Sequence, residues 1–126
     1  MPDFKRKILI VDDEEAARSA LSGTLRSKGY KVIEASTGKD VLAQAKSEWP
    51  SLIILDIVLP DMSGTEVFEQ LRADPITKAI PVLLLTAKPD IVKHLSSYHE
   101  KSDRYLTKPD KFEDLLCTIQ EMLTGK

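Results

Sequence analysis

The sequence repeats one unit five times: a short strand-like run followed by a longer stretch with helical periodicity. Strands that are apolar throughout and are joined by helices are typical of a parallel sheet covered on both faces. The sequence therefore predicts an α/β fold, a doubly wound sheet of five parallel strands with five helices. The strand-like runs are Ile8–Val11, Lys31–Ala35, Leu52–Leu55, Val82–Leu85 and Tyr105–Thr107.

Capping residues indicate where the predicted helices begin and end. Gly29 is expected as the C-terminal cap of the first helix, and Ser36 or Thr37 as the N-terminal cap of the second. Ser63 and Glu66 have the spacing of a capping box. The predicted helices cover 14–28, 38–48, a segment after Ser63 that Pro75 ends, 90–98, and a segment that Asp110 and Glu113 begin.

Length and composition favour a single domain of ordinary type. The 126 residues include 42% hydrophobic and 30% charged residues, which argues against disorder. A net charge of −2 gives no support for nucleic acid or a membrane surface as partner. Cys117 is the only cysteine, which excludes an intramolecular disulfide, and it is predicted to be a small core residue. Trp49 is expected to cover an apolar edge. With no signal peptide or membrane span recognised, we expect residues 1–126 to form one cytoplasmic domain without an output domain.

Polar residues with complementary chemistry follow four of the predicted strands. Asp12 and Asp13 follow the first strand, Asp56 the third, Thr86 the fourth and Lys108 the fifth. Ligands of open α/β sheets bind beyond the carboxyl ends of the strands, so these side chains are the candidate site. If the strand order is 2-1-3-4-5, the first and third strands are neighbours. The three aspartates would then lie within a few ångströms of each other.

Three carboxylates in a small space need a counter-charge, because their mutual repulsion otherwise raises at least one pKa. Oxygen ligands with open positions suit Mg²⁺, which often bridges to a phosphate. The Lys108 ammonium and the Thr86 hydroxyl suit phosphoryl oxygens, and a carboxylate can itself take a phosphoryl group covalently. The sequence therefore indicates phosphoryl-transfer chemistry at this end of the sheet.

Four motifs carry a resemblance to a known family. They are ILIVDD at 8–13, LDIVLPDMSG at 55–64, LTA at 85–87 and YLTKP at 105–109, in this order and each at a strand end. With them the chain resembles the response-regulator receiver domain of two-component signalling, typified by the chemotaxis regulator. The resemblance covers roughly residues 7–124 and implies a flavodoxin-like sheet with the strand order 2-1-3-4-5.

The resemblance implies a phosphoacceptor and a metal site. Asp56 corresponds to the residue that attacks the phosphorus of a phosphohistidine on a partner. Asp13 and Asp56 correspond to direct Mg²⁺ ligands, Asp12 acts largely through water, and the backbone carbonyl of Val58 corresponds to the third protein ligand.

The resemblance also implies a switch. Thr86 corresponds to the hydroxyl that moves onto the phosphoryl group, and Tyr105 to the aromatic residue that swings inward with it. Lys108 would pair with the phosphoryl group, and the backbone N–H of Ala87 would help to hold its oxygens. The change would be read out on the surface of the fourth helix, fifth strand and fifth helix. Because the stretch 90–100 is mostly polar, we expect the fourth helix to be mobile or shortened.

The implied partners are proteins. A histidine kinase or histidine phosphotransfer protein would donate the phosphoryl group, and a downstream protein target would bind the switched surface. The expected catalysis is limited to the chain's own phosphorylation and dephosphorylation. Neither nucleic acid nor membrane is expected as a direct partner. The sequence does not distinguish a natural end at Lys126 from a receiver cut out of a larger regulator or hybrid kinase.

Two other functions of similar folds fit these residues less well. A small phosphatase with an aspartyl-phosphate intermediate usually has a second aspartate two residues after the nucleophile. Val58 occupies that position and cannot transfer a proton. A flavin or nucleotide carrier usually has a glycine loop after the first strand. Here four acids, at 12–15, stand in that place and would repel a phosphate unless a metal intervened.

Overall fold

Five parallel strands form one sheet in the computed structural model, which describes residues 6–86, 103–107 and 112–124. The strand order is β2-β1-β3-β4-β5, and every neighbouring pair is parallel. The predicted order 2-1-3-4-5 is therefore confirmed. The strands are β1 (Lys7–Val11), β2 (Lys31–Ala35), β3 (Leu52–Asp56), β4 (Val82–Thr86) and β5 (Arg104–Thr107).

Four helices lie in the described part of the chain, two on each face of the sheet. The predicted helix over 90–98 and its expected mobility lie outside the described residues. The C-terminal helix α4 corresponds to the predicted fifth helix. The helices are α1 (Glu15–Ser27), α2 (Gly38–Glu48), α3 (Gly64–Ala73) and α4 (Phe112–Thr124).

Local side-chain and backbone chemistry explains where α2 and α3 begin and how the chain turns after α1. Thr37 caps α2, and its Oγ1 accepts from the Asp40 N–H at 3.2 Å. Ser63 caps α3, but its Oγ accepts from the Thr65 N–H at 3.2 Å, instead of the N–H three residues on that a capping box uses. After α1 the chain turns through Gly29, whose φ of 97° is readily adopted only by glycine.

Two apolar cores hold the layers together, because alternate residues of each strand point to opposite faces. Around Phe68, residues of β1, β3 and β4 pack against α2 and α3. On the other face, the intervening residues pack against α1 and α4, where Ile119 and Leu123 are buried. Burial of each such side chain contributes about 1.5–3 kcal/mol before the entropy of folding is counted.

Two expectations about single residues are wrong. Cys117 is exposed, since α4 turns Ile119 and Leu123 inward and Cys117 precedes Ile119 by about 200° of helix rotation. Trp49 does not cover an apolar edge. It is 71% exposed at the end of α2, where it adopts a left-handed conformation with φ 48°.

The amino end of the sheet, where the strands begin, contains a buried ion pair. Asp103, immediately before β5, is fully buried and pairs with Arg72 of α3. Its Oδ1 also accepts from the Val82 N–H at 3.1 Å, at the start of β4. Arg72 Nη1 donates to the Ile80 carbonyl at 2.9 Å, and its guanidinium lies 4.9 Å from the centre of the Phe68 ring. These contacts fix α3 to the start of β4 and β5.

Candidate metal and phosphoryl site

Three carboxylates meet at the carboxyl end of the sheet, where the strands finish. β1 and β3 pair so that Val11 is level with Leu55, and the next residues, Asp12 and Asp56, are therefore side by side. Carboxylate oxygens of Asp12, Asp13 and Asp56 all lie within 4.8 Å of one another. Asp12 is 7% and Asp56 5% exposed, whereas Asp13 is exposed to solvent. The predicted convergence of the three aspartates is present in the structure.

Asp12 is held by backbone and side-chain contacts on three sides. Its Oδ1 accepts from the Glu14 N–H at 2.9 Å, and its own N–H donates to the Ala35 carbonyl at 3.2 Å. Arg18 Nη1 donates to the Asp12 carbonyl at 2.6 Å, while Arg18 Nε bonds Glu34 Oε1 at 3.0 Å. Asp12 is thereby tied to α1 and β2.

Asp56 is held by the loop that follows it. The Val58 N–H donates to Asp56 Oδ1 at 3.1 Å, and the Gly64 N–H donates to the Ile57 carbonyl at 2.6 Å. A Cβ on Gly64 would lie 2.5 Å from Ile57 Cα and would overlap the Asp56 carbonyl. The start of α3 therefore packs directly on the backbone of Asp56, and only glycine leaves room for it.

The other predicted site residues are only partly within the described structure. Thr86, the last residue of β4, is buried, and β4 is the strand next to β3. Tyr105, in β5, is 42% exposed. Ala87 and Lys108 lie outside the described residues. The roles of all these residues stay predictions.

Asp61 was not predicted to take part in this region. Its Oδ1 accepts from the Gly38 N–H at 2.7 Å and its Oδ2 from the Lys39 N–H at 3.1 Å, both in the first turn of α2. The Gly38 hydrogen bond in particular holds the pKa of the Asp61 carboxyl below its ordinary value of 3.8. An exposed acid in a loop gives no sequence signal for such a contact, because its partner is 23 residues away.

The three aspartates fit a hard divalent cation. Mg²⁺ prefers carboxylate oxygens and keeps several waters, so it needs one oxygen from each of a few carboxylates and an open side. The cluster offers one oxygen from each residue, with Asp13 on the solvent side. Burial of Asp12 and Asp56 next to each other adds a reason for a cation, since like charges in a poorly solvated place repel.

Comparison with known proteins identifies the family. The sequence profile of the response regulator receiver domain matches residues 8–120, which is most of the chain. The chain belongs to this family. The resemblance drawn from the motifs is thus confirmed, and residues 8–120 form a receiver domain of two-component signalling.

Relatives of the receiver domain include both longer and equally short proteins. It is 42% identical over 120 residues to the alkaline phosphatase synthesis transcriptional regulatory protein PhoP of Bacillus subtilis, which covers 95% of this chain. The chain spans only about half (49%) of the length of that relative. It is 37% identical over 119 residues to PilH of Pseudomonas aeruginosa, covering 94% of this chain and 98% of PilH.

Solved structures of similar fold include a chemotaxis regulator. The receiver domain superposes on CheY4 of Vibrio cholerae with a TM-score of 0.82, at 33% identity, covering 94% of this chain and 99% of CheY4. It also matches the receiver domain of the sensor histidine kinase PA1611 of Pseudomonas aeruginosa, with a TM-score of 0.81 and 26% identity over 95% of this chain and 98% of the other. That structure has a magnesium ion coordinated in its active site cleft.

Proposed function

We propose that the protein receives a phosphoryl group on Asp56 from a phosphohistidine of a histidine kinase or histidine phosphotransfer protein. One observation supports this most strongly. Asp56 is buried at the carboxyl end of the sheet, with oxygens of Asp12 and Asp13 within 4.8 Å of its own. Carboxylates brought this close repel one another, so the cluster favours the binding of a cation. Its use is in a site that binds a cation and a phosphoryl group.

The proposed transfer is a displacement at phosphorus. A carboxylate oxygen of Asp56 forms the new O–P bond, and the N–P bond of the phosphohistidine breaks with its electron pair kept by the imidazole nitrogen. The Val58 N–H, which donates to Asp56 Oδ1, and the Gly64 backbone, which packs on Asp56, fix the orientation of the attacking group. Catalysis of phosphoryl transfer depends largely on such positioning of the reacting groups.

Mg²⁺ is the proposed cofactor. Asp13 and Asp56 would bind it directly, Asp12 largely through water, and the backbone carbonyl of Val58 would be a further ligand. When bound, Mg²⁺ offsets the charge of the carboxylates and of the incoming phosphoryl group. The donor chemistry of the cluster and the magnesium ion in the PA1611 receiver support this proposal.

The remaining site residues are proposed to bind the phosphoryl group and to relay its presence. Thr86 would contact a phosphoryl oxygen through its hydroxyl, Lys108 through its ammonium group, and Ala87 through its backbone N–H. Tyr105 would change its exposure when Thr86 moves. In support, Thr86 is buried on the strand beside β3, and Tyr105 lies in β5 with its side chain exposed. The output surface would be the segment 90–98, β5 and α4.

The output is proposed to be contact with a downstream protein, from a single receiver domain spanning residues 1–126 in the cytoplasm. Its catalysis would be limited to its own phosphorylation and dephosphorylation. Membership of a larger regulator or hybrid kinase is the alternative. Relatives of both arrangements exist, since the chain matches nearly all of PilH but only 49% of PhoP. No helix among residues 6–86, 103–107 and 112–124 is long and apolar enough to cross a membrane.

Labelling with a small phosphodonor tests the proposal. The wild type is incubated with acetyl phosphate, with Mg²⁺ or with EDTA, and intact mass counts the phosphoryl groups added. We expect up to one group per chain, dependent on Mg²⁺ and absent in Asp56→Asn. Asp114→Asn, which removes an exposed acid of α4, is the control and should be labelled like the wild type. Labelling that persists in Asp56→Asn, or no labelling of the wild type, would contradict the proposal.

A further inference from the structure

The loop after Asp56 is joined to α2, which packs against β1 and β2 on the same face of the sheet as α3. Asp61 accepts hydrogen bonds from the Gly38 and Lys39 N–H groups, at 2.7 and 3.1 Å. The next side chain, Met62, packs so closely against Gly38 that a Cβ there would overlap its Cγ. The loop 57–63 therefore contacts the first turn of α2 through one polar and one apolar side chain.

The same loop holds the phosphoacceptor at its other end. Val58 N–H donates to Asp56 Oδ1 at 3.1 Å, and Gly64 N–H donates to the Ile57 carbonyl at 2.6 Å. Asp61 lies between these two contacts and anchors the loop. Its side chain is exposed and yet accepts two hydrogen bonds from α2. A carboxylate that accepts two backbone N–H bonds at a helix N-terminus is held firmly, because charge-assisted bonds and the helix dipole act together.

We propose that Asp61 is a positioning residue of the phosphorylation site. By joining the loop 57–63 to the N-terminus of α2, it fixes the backbone at Val58, and through it the Asp56 carboxylate. The inference rests on the proposed function of Asp56 but assigns a role to a residue outside the proposed metal and phosphoryl ligands. Coupling between two sites is reciprocal. A change at Asp56 should therefore also alter the chemical shifts of the Gly38 and Lys39 amides.

Asp61 has a close control in Thr37, which caps the same helix from within its own segment. Thr37 Oγ1 accepts from the Asp40 N–H at 3.2 Å and makes no bond to the loop. Thr37→Ala should therefore weaken the start of α2 without releasing the loop. Asp40→Asn removes an exposed acid from the same turn and controls for the loss of charge alone.

The first measurement is amide hydrogen exchange without metal or phosphodonor. In Asp61→Ala we expect faster exchange at the amides of 57–63, with Asp61→Asn intermediate because its amide oxygen can keep one of the two bonds. Thr37→Ala and Asp40→Asn should leave exchange in the loop at the wild-type rate. Equal exchange in Asp61→Ala and the wild type, or the same change in Thr37→Ala, would overturn the proposal.

The second measurement is Mg²⁺ affinity by titration of backbone amide shifts. Asp61→Ala should weaken Mg²⁺ binding about tenfold, which is the effect typical of residues that orient metal ligands without touching the metal. The wild type should show shifts at Gly38 and Lys39 that are lost in the variant. Affinities equal within twofold to that of Asp40→Asn would overturn the proposal. If acetyl phosphate fails to label the wild type, the proposed function fails, whereas the exchange data still decide whether Asp61 fixes the loop.

Discussion

Buried acids lie at both ends of the sheet, but the groups that surround them differ. At the amino end, Asp103 is enclosed with Arg72 and also accepts the Val82 N–H. At the carboxyl end, Asp12 and Asp56 are buried beside each other, with Asp13 close by on the solvent side. Asp103 has the Arg72 guanidinium next to it, whereas the carboxyl end brings oxygens of three carboxylates to within 4.8 Å of one another.

This difference separates a structural role from a functional one. The charge of a buried carboxylate is compensated when the group is ion-paired and hydrogen-bonded. The carboxylate then ties together the elements that supply its partners. Carboxylates that crowd together raise the energy of the folded state unless a cation joins them. The amino end of the sheet is therefore expected to matter for stability, and the carboxyl end for binding and phosphoryl transfer.

Breaking the pair at the amino end should have the largest effect on stability. Arg72→Met leaves Asp103 buried without its cation, which costs about 3–5 kcal/mol for a pair of this kind. Urea unfolding measures the loss. The control is Glu48→Gln in the half-exposed Lys7–Glu48 pair, where the change should be below about 1 kcal/mol. Similar small losses in both variants would show that burial does not distinguish the two pairs.

Gly64→Ala should disturb the carboxyl end through packing. The added Cβ would meet the backbone of Asp56 and Ile57, so the loop must shift, at a cost of about 1–3 kcal/mol. We expect a lower urea midpoint and slower labelling by acetyl phosphate. Gly23→Ala in α1, where a Cβ meets nothing within 4 Å, should instead be stabilising by about 0.5–1 kcal/mol. Unchanged labelling in Gly64→Ala would contradict the packing described for Asp56.

Lowering the pH should have the smallest effect on stability, through the contact between Asp61 and α2. The pKa of Asp61 is lowered by the Gly38 hydrogen bond, so its contribution to stability is complete above the ordinary value of 3.8. It is lost as pH falls through the lower pKa of the folded state. Side-chain carboxyl shifts recorded by NMR against pH should show Asp61 titrating below 3.8, with the Gly38 amide shift following it. Titration at or above 3.8 would contradict the contact.

Much of the fold could be predicted because it depends on neighbouring residues. Apolar runs that stop at Asp12, Asp56 and Thr86 define strands and their ends, and these ends lie together in any parallel sheet of this order. The positive φ of Gly29 and the cap at Thr37 are likewise set by local chemistry. The acidic cluster followed from strand order alone, without knowledge of any side-chain contact.

Contacts between distant residues could not be predicted in this way. Asp103 pairs with Arg72, which is 31 residues away in the sequence, and Asp61 accepts a hydrogen bond from Gly38, which is 23 residues away. An Asp or Arg in the sequence carries no indication of a partner so far away. Cys117 is a different case, because the spacing of Ile119 and Leu123 already indicates the buried side of α4 and places Cys117 away from it.

The carboxyl end of the sheet is proposed to bring carboxylates together for a cation and a phosphoryl group. The most direct test is urea unfolding of the wild type and Asp56→Asn, each in EDTA and in saturating Mg²⁺. In EDTA the variant should be more stable by about 1 kcal/mol, since one repulsive charge is removed while the Asn oxygen can still accept from Val58. Mg²⁺ should stabilise the wild type more than the variant and so reduce or reverse that difference. A variant less stable than the wild type in EDTA, together with no effect of Mg²⁺ on the wild type, would contradict the account.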